Sequence, residues 1–349
     1  MIKVKKLGVI LRPTKHTFEN QAVLNPAIYQ EGETVHILYR AINKKFHSSI
    51  GYAKLDGPMK VAERWEKPLY KPQYPYERKG MEDPRITKIK GTLYMTYTAH
   101  DGKNAVFCYA TGKHPLHLRK RGIISPELTY NQVGRIFLKE SGLNDRYFMF
   151  EAYYEEFGGR DILLWEKDAI LFPKKIRGKF ALIHRVLPEV QIFYFNNFKQ
   201  AKSERYWREY LADLSKYVIL ESRYWFESRN IGGGAPPIET KDGWLVIYHT
   251  VEDSSKRKKH RTYHAAAALL DKRNPTKLIG RLDYPLFSPE ESWEKKGLVS
   301  NVVFPTGTAI FGKYLYIYYG AADRQIAVAK VNLKDLLKKL KGRRKRVGE

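Results

Sequence analysis

The chain has 349 residues, with 63 Lys and Arg against 37 Asp and Glu, and a formal net charge of +26. This excess fits either an anionic partner or a highly charged surface, and the basic residues are spread along the whole sequence. The single cysteine, Cys108, excludes an intramolecular disulfide, and its apolar neighbours in "AVFCYA" predict a buried, unreactive thiol.

No stretch of the sequence has the ~20 apolar residues that cross a bilayer. The apolar run near the beginning, in "MIKVKKLGVILRPTKH", is too short for the core of a secretion signal. We therefore expect a cytoplasmic protein without a membrane partner. The abundance of Lys, Arg and Glu also suits a thermophilic protein.

An internal repeat organises the sequence. Each copy has a strand, a turn that contains glycine, and a second strand in which apolar and polar residues alternate. The five copies are "NPAIYQEGETVHILYRA", "DPRITKIKGTLYMTYTA", "DAILFPKKIRGKFALIHRV", "PPIETKDGWLVIYHTVE" and "FPTGTAIFGKYLYIYYGAA". They begin near residues 25, 83, 168, 235 and 304, so each unit has room for about four strands.

Units of this size predict an all-β fold, a five-bladed β-propeller over residues 1–332. Two stacked β-sandwiches are the alternative, but they need a linker near the middle of the chain, where no Gly-, Ser- or Pro-rich stretch occurs. In the C-terminal "LKDLLKKLKGRRKRVGE", leucines recur at helical spacing. Residues 333–349 are therefore predicted to form a short, basic amphipathic helix and a solvated tail, with a nucleic-acid or anionic-membrane contact as the alternative.

Residues at the same position of each copy are expected to meet, because the first strand of each propeller blade lines the central channel. Asn25, Asp83, Asp168 and the run Gly232-Gly233-Gly234 occupy that position. Glu82 and Asp83 are therefore predicted to face a shared polar pocket, which is where a propeller binds its ligand.

The motifs exclude several kinds of site. The sequence has no HExxH, no Cys/His spacing for zinc and no calcium-binding loop, so no metal is expected. "IGGGAPPI" lacks the Lys-Ser/Thr of a phosphate-binding loop, and no serine or cysteine nucleophile motif occurs. The remaining carboxylates, cations and aromatic residues can bind a sugar and protonate a glycosidic oxygen. The alternative is that these charges form interior ion pairs, such as Glu82 with Arg85.

Five segments in fixed order resemble glycoside hydrolase family 130, which contains five-bladed propellers that are β-mannoside phosphorylases or β-1,2-mannosidases. The segments are "NPAIYQEGETVHILYRA", "GMEDPRITKI", "KDAILFPKKIRGKFALIHR", "IGGGAPPIETKDGWLVIYH" and "NVVFPTGTAIFGKYLYIYYGAAD". The resemblance runs from about residue 25 to about residue 330 and is poor from about Tyr130 to Arg160.

The resemblance implies roles for single residues. Asp83, in the Glu-Asp-Pro-Arg motif, would be the general acid. The residues implied to bind the sugar are Asn25, Arg40, Glu82, Arg85 and Asp323, and those implied to bind phosphate are Lys167, Arg185, His249 and Tyr263. Two positions depart from the family pattern: Lys167 stands where Arg is common, and Asn230 where a Lys often precedes Ile-Gly. Arg229 is a candidate to compensate.

The number of acids separates two reactions. An inverting hydrolase needs a second carboxylate to activate water, whereas phosphate is already an anionic nucleophile and needs only cationic groups to hold it. The cationic set therefore favours an inverting β-mannoside phosphorylase that forms α-mannose 1-phosphate, with inorganic phosphate as co-substrate and no cofactor. A β-mannosidase and a non-catalytic polyanion-binding propeller are the alternatives. Nucleic acid is not expected as a partner, and the linkage, the acceptor and a homo-oligomeric state stay open.

Overall fold

A computed structural model describes residues 2–139, 142–253 and 261–342. Strands dominate and helices are few, which confirms the predicted mostly-β class. All five predicted hairpins are present as antiparallel strand pairs. Within these residues no sheet closes on itself, and no helix is long and apolar enough to cross a membrane.

The strands follow one another in short antiparallel runs. They are β1 (Val4–Leu11), β2 (Ala22–Glu31), β3 (Thr34–Ile42), β4 (Ser48–Asp56), β5 (Lys60–Arg64), β6 (Gly80–Ile89), β7 (Thr92–His100), β8 (Ala105–Gly112), β9 (Arg119–Ile123), β10 (Lys167–Leu171), β11 (Phe180–Arg185), β12 (Val190–Phe195), β13 (Val218–Leu220), β14 (Asn230–Gly233), β15 (Ile238–Thr240), β16 (Gly243–Asp253), β17 (Arg261–Leu270), β18 (Leu278–Arg281), β19 (Val303–Phe311), β20 (Tyr314–Ala321) and β21 (Gln325–Asn332).

These strands form four sheets. Strands β10–β13 and β14–β18 make two of them, and a third has the order β1-β21-β20-β19, which joins the first and last strands of the chain. The fourth contains β2–β9, but its halves β2–β5 and β6–β9 are connected by one parallel residue pair, Ser48 with Gly80. A Cβ on Gly80 would lie 2.5 Å from Cβ of Ser48, so this close approach requires glycine.

The hydrophobic core consists of clusters that lie between consecutive groups of strands. One side of β16 contributes Leu245 and Ile247 to the cluster shared with β19–β21, and the other side contributes Trp244 and Val246 to the cluster shared with β10–β13. This alternation follows from the two-residue period of a strand. Another cluster joins β2–β4 to β20 and β21, so the last strands of the chain pack against the first hairpin.

Helices occupy segments for which the repeat makes no prediction. They are α1 (Tyr130–Phe137), α2 (Arg146–Gly158), α3 (Phe198–Ala201), α4 (Glu204–Leu211), α5 (Ser292–Lys295) and α6 (Leu333–Lys341). α1 begins at a capping box in which Thr129 and Gln132 bond to each other's backbone N–H, a signal that the sequence analysis missed. Three helices, α1, α2 and α4, pack on the sheet of β10–β13. The first two lie in the stretch of poor resemblance.

The predicted C-terminal helix is confirmed as α6. Its Leu336, Leu337 and Leu340 are buried in the cluster that also contains β17 and β21, so the helix packs on the strands. The tail predicted after it, residues 343–349, lies outside the described residues. Cys108 is buried as predicted, and burial raises the pKa of its thiol far above the usual value.

A buried glutamate is repeated in four of the strand groups. Each lies just before the first strand of its group and accepts hydrogen bonds from a tyrosine hydroxyl of the second strand and from a cation of the edge strand. The sets are Glu19 with Tyr39 and Arg64, Glu77 with Tyr97 and Lys120, Glu227 with Tyr248 and Arg281, and Glu294 with Tyr319 and Lys6. All four glutamates have no exposed surface. They connect the beginning of each group to its second strand and its edge strand.

Replacing Glu77 with alanine should lower the free energy of unfolding by about 3–5 kcal/mol, because Lys120 and the Tyr97 hydroxyl would be left buried without their partner. Urea denaturation measures this change. The control is Glu63→Ala, whose carboxylate is 3.0 Å from Lys54 with both side chains about two-fifths exposed, and whose loss should cost less than about 1 kcal/mol. Equal losses in the two variants would contradict a structural role for Glu77.

Candidate active site

The three polar residues predicted to meet lie on β-bulges of the first strands. The strand register breaks in β2 between Leu24 and Ala27, in β6 between Glu82 and Arg85, and in β10 between Lys167 and Ile170. Inside each break one residue has left-handed backbone: Asn25 (φ 49°), Asp83 (φ 49°) and Asp168 (φ 60°). Asn and Asp tolerate this conformation better than other non-glycine residues. The bulge then redirects their side chains out of the regular alternation.

The first part of the site is a cluster of carboxylates and cations. Asn25 donates from Nδ2 to Oδ1 of Asp83 at 2.8 Å. Arg40 donates from Nη2 to Oε1 of Glu82 at 2.7 Å, and its Nη1 is 3.6 Å from Oδ1 of Asp83. Lys167 Nζ is 3.4 Å from Oε2 of Glu82. Two cations therefore share two neighbouring acids.

These cations control the ionisation of the two acids. Burial by itself raises the pKa of Asp83, but Arg40, Lys167 and the Asn25 amide outweigh it and hold the pKa below the usual value. Glu82 behaves in the same way, since Arg40 and Lys167 lower its pKa against the effect of burial. Without a ligand, both acids are ionised at neutral pH.

Asp323 behaves differently although it belongs to the same cluster. It follows β20 with a left-handed φ of 50° and is partly buried. Burial, opposed by Arg40 and reinforced by the negative charge of Asp83, raises the pKa of Asp323 to about 6. This carboxyl group therefore exchanges its proton near neutral pH.

Arg85 lies beneath the cluster and is bonded mainly to backbone. Its Nε donates to the carbonyl of Gly234, and its Nη1 donates to the carbonyls of Asp83 (2.9 Å) and Pro84 (3.1 Å). Glu82 pairs with Arg40 and Lys167, so the ion pair of Glu82 with Arg85 considered as an alternative is not formed. Arg85 instead joins β6 to Gly234, the residue that follows β14.

The second part of the site surrounds Arg185. Its Nη1 is 3.0 Å from Oδ2 of Asp168 and 3.4 Å from Nε2 of His249. His249 Nδ1 bonds to the carbonyl of Gly233 at 2.9 Å, and burial lowers the pKa of His249 to about 4, so the ring is neutral. Tyr263 stacks on the same imidazole, with 6.3 Å between ring centroids.

The two parts are adjacent because Lys167 and Arg185 are directly opposite each other in the pairing of β10 with β11. All ten predicted site residues therefore belong to one connected region. Asp168 occupies the equivalent position of its repeat copy. It is not one of the ten predicted site residues, although it contacts Arg185. Arg229, the candidate to compensate at Asn230, lies over the Phe150 ring and is 3.4 Å from Asp253.

The arrangement combines two ionised carboxylates and one carboxyl group that exchanges its proton near neutral pH with cations that can hold an anion. Arg185 keeps its Nε–H buried and without a hydrogen-bond partner among the described residues, and Asn25 Oδ1 is likewise unpartnered. Buried polar atoms of this kind are commonly satisfied by a ligand or water. No group of three His, Cys, Asp or Glu side chains within the described ranges is arranged to hold a metal ion.

Comparisons with known proteins point to one family. The model of glycoside hydrolase family 130, described as beta-1,4-mannooligosaccharide phosphorylase, matches residues 6–342. A 1,2-beta-oligomannan phosphorylase of Thermoanaerobacter sp. (strain X514) is 31% identical over 349 residues, covering 96% of this chain and 99% of that protein. A beta-1,2-mannobiose phosphorylase of the same organism is 34% identical over 334 residues, covering 92% and 93%.

Solved structures share the fold. The beta-1,2-mannobiose phosphorylase of Listeria innocua, in complex with beta-1,2-mannobiose, has a TM-score of 0.71 at 20% identity and covers 98% of this chain and 100% of its own. A structure described with GH130 glycoside hydrolases that target beta-1,2 mannosidic linkages in Candida mannan has a TM-score of 0.72 at 22% identity, covering 95% and 94%. At these identities the likeness concerns the fold alone.

Replacing Asp323 with asparagine should stabilise the protein at pH 7.5. Its pKa rises from the usual 3.8 to about 6 on folding, so the folded state binds the proton more tightly and wild-type stability falls as pH rises between these values. Above pH 6 the buried charge costs on the order of 3 kcal/mol. Thermal unfolding should show a higher Tm for the variant at pH 7.5, and a difference that shrinks towards pH 4. A pH-independent difference would contradict this account.

Proposed function

Because the chain belongs to glycoside hydrolase family 130, we propose that it is an inverting β-mannoside phosphorylase. Phosphate oxygen attacks the anomeric carbon of a β-mannoside, the glycosidic C–O bond breaks, and a proton passes to the leaving oxygen, which gives α-mannose 1-phosphate and a shortened acceptor. The observation that carries the proposal is the adjacency of Lys167 and Arg185 to the acid cluster around Asp83.

We further propose that residues 1–332 form a five-bladed propeller, with the helix and tail of 333–349 appended. The support is the order of core clusters: each joins one group of strands to the next, and the one shared by β2–β4, β20 and β21 joins the last group to the first. The four buried Glu–Tyr–cation sets support repetition of one unit. Five such units around an axis would bring the three bulges to one end.

Asp83 is proposed as the general acid, which requires it to be protonated when the bond breaks. In the ligand-free state the nearby cations keep it ionised. Phosphate would bring negative charge to these cations and weaken their effect, so its arrival should raise the pKa of Asp83. The family resemblance implies that the proton travels through the 3-hydroxyl of the mannose. Asn25, Arg40, Glu82, Arg85 and Asp323 would hold the sugar.

The ion pairs of the second acid, Glu82, favour phosphorolysis over hydrolysis. A hydrolase needs a free carboxylate base with a water, but Glu82 is bound to Arg40 at 2.7 Å and lies 3.4 Å from Lys167. Phosphate needs no base, and Lys167, Arg185 and Tyr263 are its proposed binding residues, with His249 placed beside Arg185. No cofactor beyond phosphate is proposed. The two relatives that match over more than nine-tenths of this chain carry β-1,2 names, so we propose a β-1,2-linked substrate.

The test is turnover of β-1,2-mannobiose and β-1,4-mannobiose by the purified full-length protein, with and without inorganic phosphate. We expect phosphate-dependent consumption of the β-1,2 compound and stoichiometric α-mannose 1-phosphate. Release of free mannose at the same rate without phosphate would establish the β-mannosidase alternative. Turnover of neither compound, together with salt-sensitive retention on heparin, would support the polyanion-binding alternative.

Replacing Asp83 with asparagine should lower kcat by about 10²–10⁴ while sugar binding persists, because the amide has nearly the same shape but cannot supply the proton. Initial rates and calorimetric titration with mannobiose measure the two effects. The matched control is Asp56→Asn at an exposed pair with Lys60 (3.1 Å), which should leave kcat unchanged. If the Asp83 variant kept more than half of the wild-type rate, another group would be the acid.

A further inference from the structure

His249 has both ring nitrogens engaged, although the family resemblance assigns it to phosphate. A backbone carbonyl only accepts hydrogen bonds, so the 2.9 Å contact with Gly233 O places the proton on Nδ1. In the neutral ring Nε2 is then an acceptor. It lies 3.4 Å from Nη1 of Arg185. In this state His249 can accept from Arg185 but cannot donate to a phosphate oxygen.

Asp168 forms an ion pair with the same nitrogen of Arg185. Its Oδ2 lies 3.0 Å from Nη1, and its Oδ1 lies 3.8 Å from Nη2 of Arg85, so one buried carboxylate lies between two arginines. The carboxylate also offsets the repulsion that these two cations exert on each other. Left-handed backbone at the β10 bulge sets the direction of this side chain.

Both contacts use one end of the guanidinium group. The Nε–H and one Nη2–H form a separate edge that suits two oxygens of a phosphate. Nε of Arg185 is buried and has no hydrogen-bond partner within the described residues. The free donor therefore belongs to the edge that Asp168 and His249 leave open.

Gly232 makes this packing possible. A Cβ at that position would lie 2.2 Å from Cε1 of His249 and 2.6 Å from Oδ2 of Asp168. Any side chain there would displace the two groups that hold Arg185. Steric contacts therefore explain the first glycine of the Gly232-Gly233-Gly234 run, and no phosphate-binding loop is needed to explain it.

We propose that Asp168 and His249 are positioning residues that hold Arg185 by Nη1 and turn its Nε–H edge towards inorganic phosphate. The inference rests on the proposed phosphorylase function and divides the roles within its phosphate site. Arg185 contacts phosphate, while Asp168 and His249 act through Arg185. A free arginine side chain samples many rotamers, so fixing it before phosphate arrives removes part of the entropic cost of binding.

The first test is Asp168→Asn in the full-length protein, with steady-state kinetics in both substrates. The KM for phosphate should rise about tenfold, the usual effect of one lost charge-assisted contact, while the KM for the mannoside should change less than twofold. Asp242→Asn, which removes a surface pair with Lys341 at 2.8 Å, should change neither constant. A parallel rise of both KM values in the Asp168 variant would overturn the proposal.

The second test applies even if the Asp168 variant does not fold. His249→Leu removes the acceptor for Arg185 and should raise the KM for phosphate at least fivefold, while His249→Gln, which carries an acceptor oxygen, should recover most of the loss. An unchanged phosphate KM in His249→Leu would overturn the proposal. So would a failure of the Gln variant to recover, because His249 would then bind phosphate itself.

Calorimetric titration of inorganic phosphate without mannoside separates this inference from the proposed function. Wild type that binds phosphate, with weaker binding in Asp168→Asn and His249→Leu, supports both. Wild type that binds phosphate, with equally tight binding in the variants, overturns the positioning roles and leaves the phosphorylase proposal intact. Wild type that binds no phosphate and turns over mannoside without it overturns both.

Discussion

Charge balance in a buried cluster is the constraint on which the rest of the site depends. The positive charges come from Arg40, Arg85, Lys167 and Arg185, and the negative ones from Glu82, Asp83 and Asp168. Burying any of them alone would cost several kcal/mol, so each requires the others. In the proposed mechanism an incoming phosphate changes this balance, which would couple phosphate binding to the protonation of Asp83.

The pairing of acids with cations also occurs in the four Glu–Tyr–cation sets, where it stabilises the fold. Glu77, for example, accepts from Lys120, from the Tyr97 hydroxyl and from two backbone N–H groups, and no donor around it is left free. At Arg185, by contrast, the buried Nε–H has no hydrogen-bond partner within the described residues. The Glu77 network is thus satisfied by the protein itself, whereas Arg185 keeps a donor that a ligand can use.

Parts of the site were predictable from the sequence because the repeat is visible in it. Asn25, Asp83 and Asp168 occupy equivalent positions, and the structure gives all three the left-handed backbone of a bulge. Their partners were less predictable. The resemblance implies phosphate as a partner of His249, and the structure adds contacts with Arg185 and the backbone of Gly233. Helices α1 and α2 were not predicted, since they lie in the stretch outside the repeat copies where the resemblance is poor.

The sequence by itself determined the hairpins, their turn glycines and the terminal helix α6, because each depends on residues close together in the chain. Tertiary structure alone decided which charges meet. Arg85 bonds to the carbonyl of Gly234, 149 residues away, and Glu82 pairs with Arg40 from another hairpin instead of its near neighbour Arg85. The reason is physical: a buried charge is paired by whichever opposite charge the packed sheets bring within about 4 Å, at any separation along the chain.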